Sequence, residues 1–397
     1  VQDGKKIDRV FLTHGHLDHI GNLCALARAG FFHDNTQIWG SPQTNAIVRL
    51  TSFDDLRKRD CEFDIFDYIG VISRLRNIPH PGENIIDGDK ICMDPNGHMG
   101  GSTSFTVTTP SGSNALICGD TCRHNQAVVL GGLKPTRIID EIWTTDLTYP
   151  LNEEADMSYD DKRLKLIAAV DEFLSNNKTV VIQGFASVKI ANIAHDLTAF
   201  GMPVWIDSSM AWKVLNIYHK IQWSDRDIPV PEACLKNGIS KIKGHKHRRE
   251  LMEDGQPKVI LATGGMGDFG PILDWYEYGL PLDNFVFCTT SWLTPGSNGL
   301  RLVESANNEI VRLKLKDGFK EIQRRAEVKQ FSLSSHGTLG DFIIFLMELV
   351  AARGGKKLKR IFLTHGTIRA MKKVEDALKQ FAEEVIPGYL VGEVKIV

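Results

Sequence analysis

The sequence predicts an α/β protein in which layers of sheet meet at one site. Short apolar segments typical of buried strands alternate with longer segments of helical periodicity. The heptapeptide RVFLTHG, which ends at Gly15, nearly repeats as RIFLTHG, which ends at Gly366. Two strands with the same exit, far apart in the sequence, indicate two halves of a pseudo-symmetric sandwich. With 397 residues the chain is long enough for two domains.

The predicted elements follow one another in a regular order. An apolar run before Thr13 predicts a strand, residues 20–29 a helix, and residues 115–119 a further strand. A charged helix at 160–176 opens a second α/β unit, with a strand at 179–183 and an amphipathic helix at 188–200. The chain returns to the first domain at 326–335, before an apolar helix at 342–350. We therefore expect a first domain in residues 1–160, an inserted domain in 161–315 and a return segment in 316–397.

The strongest functional signal is the motif THGHLDH at residues 13–19. Its spacing lets His14 and His16 turn toward one metal ion while Asp18 and His19 turn toward a second. Imidazole and carboxylate donors suit Zn²⁺, which leaves a catalytic position open for water. A two-zinc site with a bridging hydroxide is suited to hydrolysis.

Three further candidate ligands lie in matching contexts. His98 sits in a glycine-rich turn at residues 96–102, and Asp120 follows the strand at 115–119, where a carboxylate can bridge two ions. His365 ends the second heptapeptide. All three follow strands, and open α/β sheets place their ligands at the carboxyl ends of strands.

The composition agrees with a large enzyme. Apolar residues make up 42% of the chain, and no run approaches the roughly 18 residues of a membrane span. The seven cysteines show no disulfide framework, so we expect reduced thiols and a cytoplasmic location. Cys118 and Cys122 flank Asp120 and could clip a metal, although packing within the strand explains Cys118 better. The net charge of −2 does not indicate nucleic-acid binding, but an enzyme needs only a local basic channel.

These motifs resemble the metallo-β-lactamase fold and, more narrowly, the β-CASP group of nucleases, which includes RNase J and the endonuclease of pre-mRNA 3′-end cleavage. Asp146 matches the first special motif of the group, His336 the second and His365 the third. Residues 204–211, 262–266 and 295–299 match its other motifs, whereas Lys189 stands where arginine is common. The resemblance implies an αββα sandwich with an inserted β-CASP α/β domain.

The resemblance also implies the roles in a ribonuclease. His14, His16 and His98 would hold one zinc ion, Asp18, His19 and His365 the other, and Asp120 would bridge them. The bridging hydroxide would attack the phosphorus atom. His336 would assist the departing ribose oxygen, and Asp146 would fix the tautomer of His336.

Candidate contacts for single-stranded RNA lie in two regions. Ser335 precedes His336, and the amides of Gly337 and Thr338 open a helix and could bind an anion. The densest basic stretch could form a track for phosphates, with Lys246 and Arg248 as its central residues, or it could be a solvated helix face. Its members are Lys236, Lys241, Lys243, His245, Lys246, His247, Arg248 and Arg249.

Three alternatives stay open. A metallo-hydrolase for small thioesters, lactones or phosphodiesters would share the first motif, but it would not explain the insert or Asp146 and His336. A non-catalytic scaffold subunit of the same group would usually lack ligands, and here every metal position is filled. A DNA-processing member of the group tends to carry valine at the third special motif, so His365 favours RNA.

The motif THGHLDH lies nearer the start of this sequence than in the resembled family, where about fifty or more residues of opening strands precede it. Only twelve residues precede Thr13 here, so the first strand would be an exposed edge. We expect the covering strands to come from sequence upstream or from a second chain, and a homo-oligomer is possible.

Overall fold

The computed structural model describes residues 6–58, 64–148 and 157–388; for residues 52–58 it describes the backbone only. Its strands are β1 (Ile7–Phe11), β2 (Phe32–Gly40), β3 (Leu75–Asn77), β4 (Gly82–Ile86), β5 (Asp89–Pro95), β6 (Thr103–Thr108), β7 (Asn114–Ile117), β8 (Glu141–Thr144), β9 (Thr179–Gly184), β10 (Val204–Asp207), β11 (Ile239–Lys241), β12 (Val259–Thr263), β13 (Phe285–Thr289), β14 (Ile310–Leu315), β15 (Gly318–Gln323), β16 (Glu327–Gln330), β17 (Leu358–Leu363) and β18 (Ala382–Pro387).

The helices are α1 (Leu17–Ile20), α2 (Leu23–Arg28), α3 (Pro42–Lys58), α4 (Ile65–Ile72), α5 (Tyr159–Ser175), α6 (Lys189–Ala199), α7 (Ser209–Lys220), α8 (His245–Glu253), α9 (Ile272–Gly279), α10 (Asn298–Glu304), α11 (Leu339–Ala352) and α12 (Ile368–Leu378), with a π-helical turn at Cys234–Gly238. The helix predicted at 20–29 is thus two short helices, broken at Gly21 and Asn22. None of the described helices is long and apolar enough to cross a membrane.

The described residues fall into two compact units. Unit 1 is drawn from residues 1–155, 221–228 and 335–397, and unit 2 from residues 156–220 and 229–334. This division corrects the predicted boundary at 316. The strand β16 pairs in parallel with β13, and the β14–β15 hairpin packs on the core of unit 2, so the chain stays in unit 2 until residue 334. The sequence also did not indicate that residues 221–228 belong to unit 1.

Unit 1 is a sandwich of two sheets with helices outside. The first sheet has the parallel order β1-β2-β3, and the second has the mixed order β18-β17-β8-β7-β6-β5-β4. The sheets pack face to face, with the rings of Phe11 and Phe105 centred 5.5 Å apart. The helices α2 to α4 lie against the first sheet, and α11 and α12 cover the second. This arrangement confirms the predicted α/β class and its αββα layers.

The two similar heptapeptides lie in different sheets of unit 1. One contains the last three residues of β1, which pairs with β2 alone among the described strands, and the other contains most of β17. In β17 the apolar side chains of Ile361 and Leu363 are fully buried, which favours the strand. The side chains of β1 are only half-buried or exposed, and Leu12, directly after β1, is buried. Both runs end at a histidine loop, so the sandwich brings two distant parts of the sequence to one edge.

Unit 2 is built on a parallel sheet of order β11-β10-β12-β9-β13-β16. Its central strands are continuous apolar runs such as Val180, Val181 and Ile182, and these side chains are fully buried. A strand buried on both faces requires this composition, because helices cover both faces of a parallel sheet. The predicted strand at 179–183 and the predicted helices at 160–176 and 188–200 are confirmed within one or two residues.

Candidate metal centre

Three imidazoles of unit 1 converge on one point. His16 Nδ1 lies 3.1 Å from His14 Nε2 and 2.9 Å from His98 Nε2. The His98 ring donates its Nδ1–H to the carbonyl of Ser335 at 2.8 Å, which leaves a lone pair on Nε2 in the neutral ring. Nitrogen ligands of a tetrahedral zinc ion at 2.0–2.1 Å would lie about 3.3 Å apart. The spacing of these nitrogens therefore fits a metal ion between them.

A second group of ligands lies beside the first. His19 Nε2 is 3.2 Å from His365 Nε2, and Asp18 Oδ2 is 3.4 Å from His365 Nε2. This group is more open, because the side chain of Asp18 is 65% exposed whereas His14 and His98 are fully buried. An open second position is what a hydrolytic site requires for water and substrate.

The carboxylate of Asp120 stands between the two groups. Its Oδ2 lies 3.5 Å from His14 Nε2 and 3.6 Å from His98 Nε2. Its Oδ1 lies 3.3 Å from both His19 Nε2 and His365 Nε2. Oδ1 is buried and has no hydrogen bond of acceptable geometry within the described part of the chain. A buried anionic oxygen is costly to leave in this way, so the donor set fits bridged divalent cations.

Backbone constraints hold the ligand loops in place. Gly97 adopts φ +78°, and a Cβ there would stand 2.5 Å from the carbonyl oxygen of Cys122, so only glycine fits before His98. His365 also has positive φ, at 50°. The exits of β8 and β17 are joined by Thr145 and Thr364, each of whose amides donates to the hydroxyl of the other, at 2.8 and 2.9 Å.

Burial sets the protonation of the first group. It lowers the pKa of His14 well below its ordinary value, that of His16 to about 4 and that of His98 to about 3. These three imidazoles are therefore neutral at pH 7, the form that binds metal. His365 differs, because its hydrogen bonds with Asp146 and Asp18 raise its pKa to about 10. Metal binding to His365 at neutral pH must therefore release a proton.

These pKa shifts predict a loss of stability in mild acid. In the metal-free protein the three imidazoles stay neutral when folded but take up protons when unfolded below pH 6.5. The free energy of unfolding should then fall as pH drops from 6.5 to 5, by up to about 1.4 kcal/mol per pH unit for each group. His365 adds no slope in this window. Its raised pKa stabilises the folded protein, and this stabilisation is already complete below pH 6.5. Urea titrations in a chelator at pH 7 and 5 measure the effect.

The matched variant for this measurement is His98→Gln, which removes one of the three contributions. Its slope of stability against pH should be shallower by about a third. An unchanged slope in this variant would show that His98 is not held neutral in the folded chain.

His336 and Asp146 lie next to the ligand groups. His336 Nδ1 is 2.8 Å from Asp146 Oδ2, which also accepts the amide hydrogen of Thr121 at 3.0 Å. Burial by itself would lower the pKa of His336, but the Asp146 carboxylate outweighs burial and raises it. Burial likewise raises the pKa of Asp146, and the neighbouring His336 outweighs it and holds that pKa well below its usual range. The expected contact between the two side chains is present.

The candidate substrate contacts near His336 are already engaged. Ser335 is 6% exposed, and its hydroxyl donates to Gln126 Oε1 at 2.9 Å while its carbonyl accepts from His98. The amide of Gly337 donates to the carbonyl of Thr121 at 2.8 Å, and that of Thr338 donates to Asp341 Oδ2 at 2.9 Å in a capping box. The predicted anion site is therefore wrong, because both amide donors are occupied. Ser335 instead orients the ring of the candidate ligand His98.

The two basic candidates of unit 2, Lys246 and Arg248, differ in their exposure to solvent. Lys246 is exposed, as predicted for a phosphate contact. Arg248 is 8% exposed, and its guanidinium binds both oxygens of Asp207 and one oxygen of Asp274. Its role as a substrate contact is therefore corrected to a buried structural ion pair, since a guanidinium held by two carboxylates has little capacity left for a phosphate.

The sequence did not single out two supporting residues. Thr148 Oγ1 lies 2.8 Å from His365 Nδ1 and orients that ring. Its position two residues after the candidate Asp146 was the one feature of the sequence that pointed to it. Gln126 donates to the carbonyls of Gly97 and His98, both at 2.9 Å, and no motif surrounds it. The described cysteines are free, and Cys118 packs in the core, which agrees with the packing interpretation.

Comparison with known proteins agrees with this geometry. The family model of the metallo-beta-lactamase superfamily matches residues 1–148, and that of the Beta-Casp domain matches residues 189–302. A ribonuclease of Thermus thermophilus is 24% identical over 96% of this chain and 89% of its own length. An RNase J-like protein of Methanocaldococcus jannaschii is 25% identical over 87% and 80%, respectively. Transcription termination factor FttA of Cenarchaeum symbiosum is 22% identical over 94% of this chain, which spans 60% of that relative.

The fold and the ligand set of unit 1 define a metal-dependent hydrolase of the metallo-β-lactamase class. The Beta-Casp domain then narrows the class of protein, because its match lies within unit 2 apart from residues 221–228. The chain belongs to the β-CASP subgroup of the metallo-β-lactamase superfamily.

Proposed function

We propose that this protein is a zinc-dependent ribonuclease that hydrolyses phosphodiester bonds of single-stranded RNA. The observation that carries the proposal is the Asp120 carboxylate, whose two oxygens face two separate ligand groups at 3.3–3.6 Å. Relatives named as ribonuclease and RNase J-like protein support RNA as the substrate. A complete ligand set argues against a scaffold role, and the large insert argues against a small-molecule hydrolase.

The proposed metal ligands divide into two sets. His14, His16 and His98 would hold one zinc ion, Asp18, His19 and His365 would hold the other, and Asp120 would contact both. When bound, the two ions would supply a nucleophilic water at neutral pH and would polarise the oxygens of the scissile phosphate. The buried neutral imidazoles of the first set favour ion binding without a prior loss of protons.

The proton chemistry would fall to His336 and Asp146. The hydrogen bond of 2.8 Å between them orients the His336 ring and favours its imidazolium form, since the Asp146 carboxylate raises the His336 pKa. An imidazolium beside the ligand groups can donate a proton to the departing ribose oxygen. Asp146 itself stays charged and acts by holding the ring.

Exposed cations of unit 2 would contribute phosphate contacts. Lys246 and Arg249, together with His245, line a cavity of about 630 Å³ between α8 and α9. The buried Arg248 would stabilise this cavity through its ion pairs and would not bind the substrate itself. Binding that depends on such cations should weaken steeply with salt.

The test of the proposal is cleavage of 5′- and 3′-labelled single-stranded RNA and of DNA with the same sequence. We expect RNA to be cleaved in the presence of zinc, to be protected by a chelator, and to be cleaved again when zinc is restored. Asp18→Ala serves as the inactive control, because it should lose both metal and activity. The two labels distinguish internal cleavage from degradation that begins at the 5′ end.

Two results would overturn the proposal. Preferential cleavage of DNA would assign the protein to DNA processing. Hydrolysis of a small aryl phosphodiester, with neither nucleic acid cleaved, would assign it to small-molecule hydrolysis.

A further inference from the structure

A short segment, residues 221–228, interrupts the residues of unit 2 in the sequence but belongs to unit 1 in the structure. We infer that Asp227 of this segment is a positioning residue for the metal centre, because it holds the loop that carries His98. The inference rests on the proposed function in that it assumes two bound metal ions. Its evidence is a set of hydrogen bonds that all lie within unit 1.

The first connection is direct. Asp227 is 7% exposed, and its Oδ1 accepts the amide hydrogen of Gly101 at 3.1 Å. The carbonyl of Gly101 accepts hydrogen bonds from the hydroxyls of Ser41 at 2.5 Å and Thr44 at 3.1 Å. Both backbone polar groups of Gly101 are thus fixed three residues after His98. Gly101 adopts φ +76°, and a Cβ would stand 2.5 Å from Ser41 Oγ, so the loop has no room to shift here.

The other oxygen of Asp227 holds the carboxylate itself in place. Oδ2 accepts hydrogen bonds from the amides of Trp223 at 3.0 Å and Ser224 at 2.8 Å, and from Gln43 Nε2 at 2.9 Å. Such a set of donors satisfies a buried negative charge and leaves it little freedom to rotate. The carboxylate therefore acts as a rigid joint between the segment 221–228 and the His98 loop.

The second connection runs through Gln126. Asp227 forms an antiparallel bridge with Val129, and the amide of Ile228 donates to the carbonyl of Val128 at 3.0 Å. This bridge fixes the turn that follows Gln126, whose amide donates to the carbonyl of Val129 at 2.8 Å. The side chain of Gln126 then donates to the carbonyl of His98 at 2.9 Å. Segment 221–228 thus reaches the His98 loop from two sides.

The second ligand group is held by different contacts. His365 is oriented by Thr148, and its loop is joined to β8 through Thr145 and Thr364. None of the hydrogen bonds described for Asp227 involves this group. A change at Asp227 should therefore weaken one metal position and spare the other. A residue that merely stabilised unit 1 would affect both positions alike.

The experiment measures zinc binding to Asp227→Asn in the full-length chain by competition with a chromophoric chelator. Asparagine keeps the shape of the side chain but turns an amide toward donors that need an acceptor. We expect one of two zinc equivalents to weaken by about 10–100-fold, the usual effect of losing a residue that orients a metal ligand, while the other keeps its parental affinity. Asp225→Asn is the matched control, because Asp225 is exposed in the same segment and should bind both equivalents like the parent.

Three further results decide the inference. Unchanged affinity at both positions in Asp227→Asn would overturn it, and so would an equal loss at both positions with a lowered thermal midpoint of the metal-free protein. If Asp227→Asn does not fold, Gln126→Leu should give the same selective loss, and parental binding by Gln126→Leu would overturn the inference. A parent protein that binds fewer than two equivalents would instead contradict the proposed function.

Discussion

Replacing Asp120 by alanine should abolish RNA hydrolysis and release both metal ions. The two oxygens of this carboxylate face the two ligand groups, so its loss removes one ligand from each. Burial raises the pKa of Asp120, but the imidazoles of His19 and His98 outweigh burial, and the net pKa lies below its ordinary value. Alanine would leave these imidazoles without the anion that holds them together.

The expected loss of turnover for Asp120→Ala is about 10³-fold or more, because charge stabilisation by bound metal is worth several kcal/mol of the barrier. Metal analysis after gel filtration and initial rates on labelled RNA measure the two effects. Asp94→Ala is a matched control, since Asp94 is also buried in unit 1 but binds Thr136 away from the site. It should cost stability and keep its zinc. Retention of two zinc equivalents by Asp120→Ala would contradict the bridging role.

Replacing His336 by alanine should lower turnover by about 10²–10⁴-fold, the usual contribution of a positioned acid–base group, without changing the zinc content. The physical reason is that the two proposed ligand sets do not use His336, whose Nδ1 is engaged by Asp146 at 2.8 Å. His336 does lie close enough to Asp120 and Asp146 to form a third candidate group for a metal ion, so the zinc content of the variant decides between the two roles. Asp18→Ala should instead lose zinc and turnover together. The comparison therefore separates proton transfer from metal binding.

Single-turnover cleavage of RNA and zinc analysis of the same preparations measure this second prediction. Asp146→Asn adds a useful arm, since it keeps the shape of the side chain but removes the charge that raises the pKa of His336. It should lower the pKa of His336, so the alkaline limb of the pH–rate profile should move to lower pH and turnover at neutral pH should fall, because less of the imidazolium form is present. Cleavage by His336→Ala at the parental rate would show that another group assists the leaving oxygen.

The local motifs of the chain predicted which candidate ligands would lie together. His14, His16, Asp18 and His19 lie within six residues, and such spacing leaves few geometries other than a shared site. The repeated heptapeptide predicted that two strands would exit at one edge, and His19 and His365 do meet at 3.2 Å. Apolar runs predicted the strands of both units, because burial between helices demands continuous apolar side chains.

The predictions that were wrong concerned the partners of polar groups. The amides of Gly337 and Thr338 look available in a sequence, yet Thr121 and Asp341 occupy them. Arg248 looks like one cation in a basic run, yet it lies buried against Asp207, 41 residues away. A charge pattern shows which groups carry charge, but it does not show which of them are already neutralised.

By itself, the sequence determined the α/β class and the candidate ligand types, because each depends on residues close together or on a repeated local pattern. The pairing of His336 with Asp146, which are 190 positions apart, came instead from the resemblance to the β-CASP group. Only the tertiary structure decided that the chain stays in unit 2 until residue 334 and that residues 221–228 pack beside the His98 loop. The contact between Gly101 and Asp227 joins residues 126 positions apart. Such a contact leaves no periodic trace in the sequence, because its energy depends on burial and hydrogen-bond geometry that exist only after the sheets have packed.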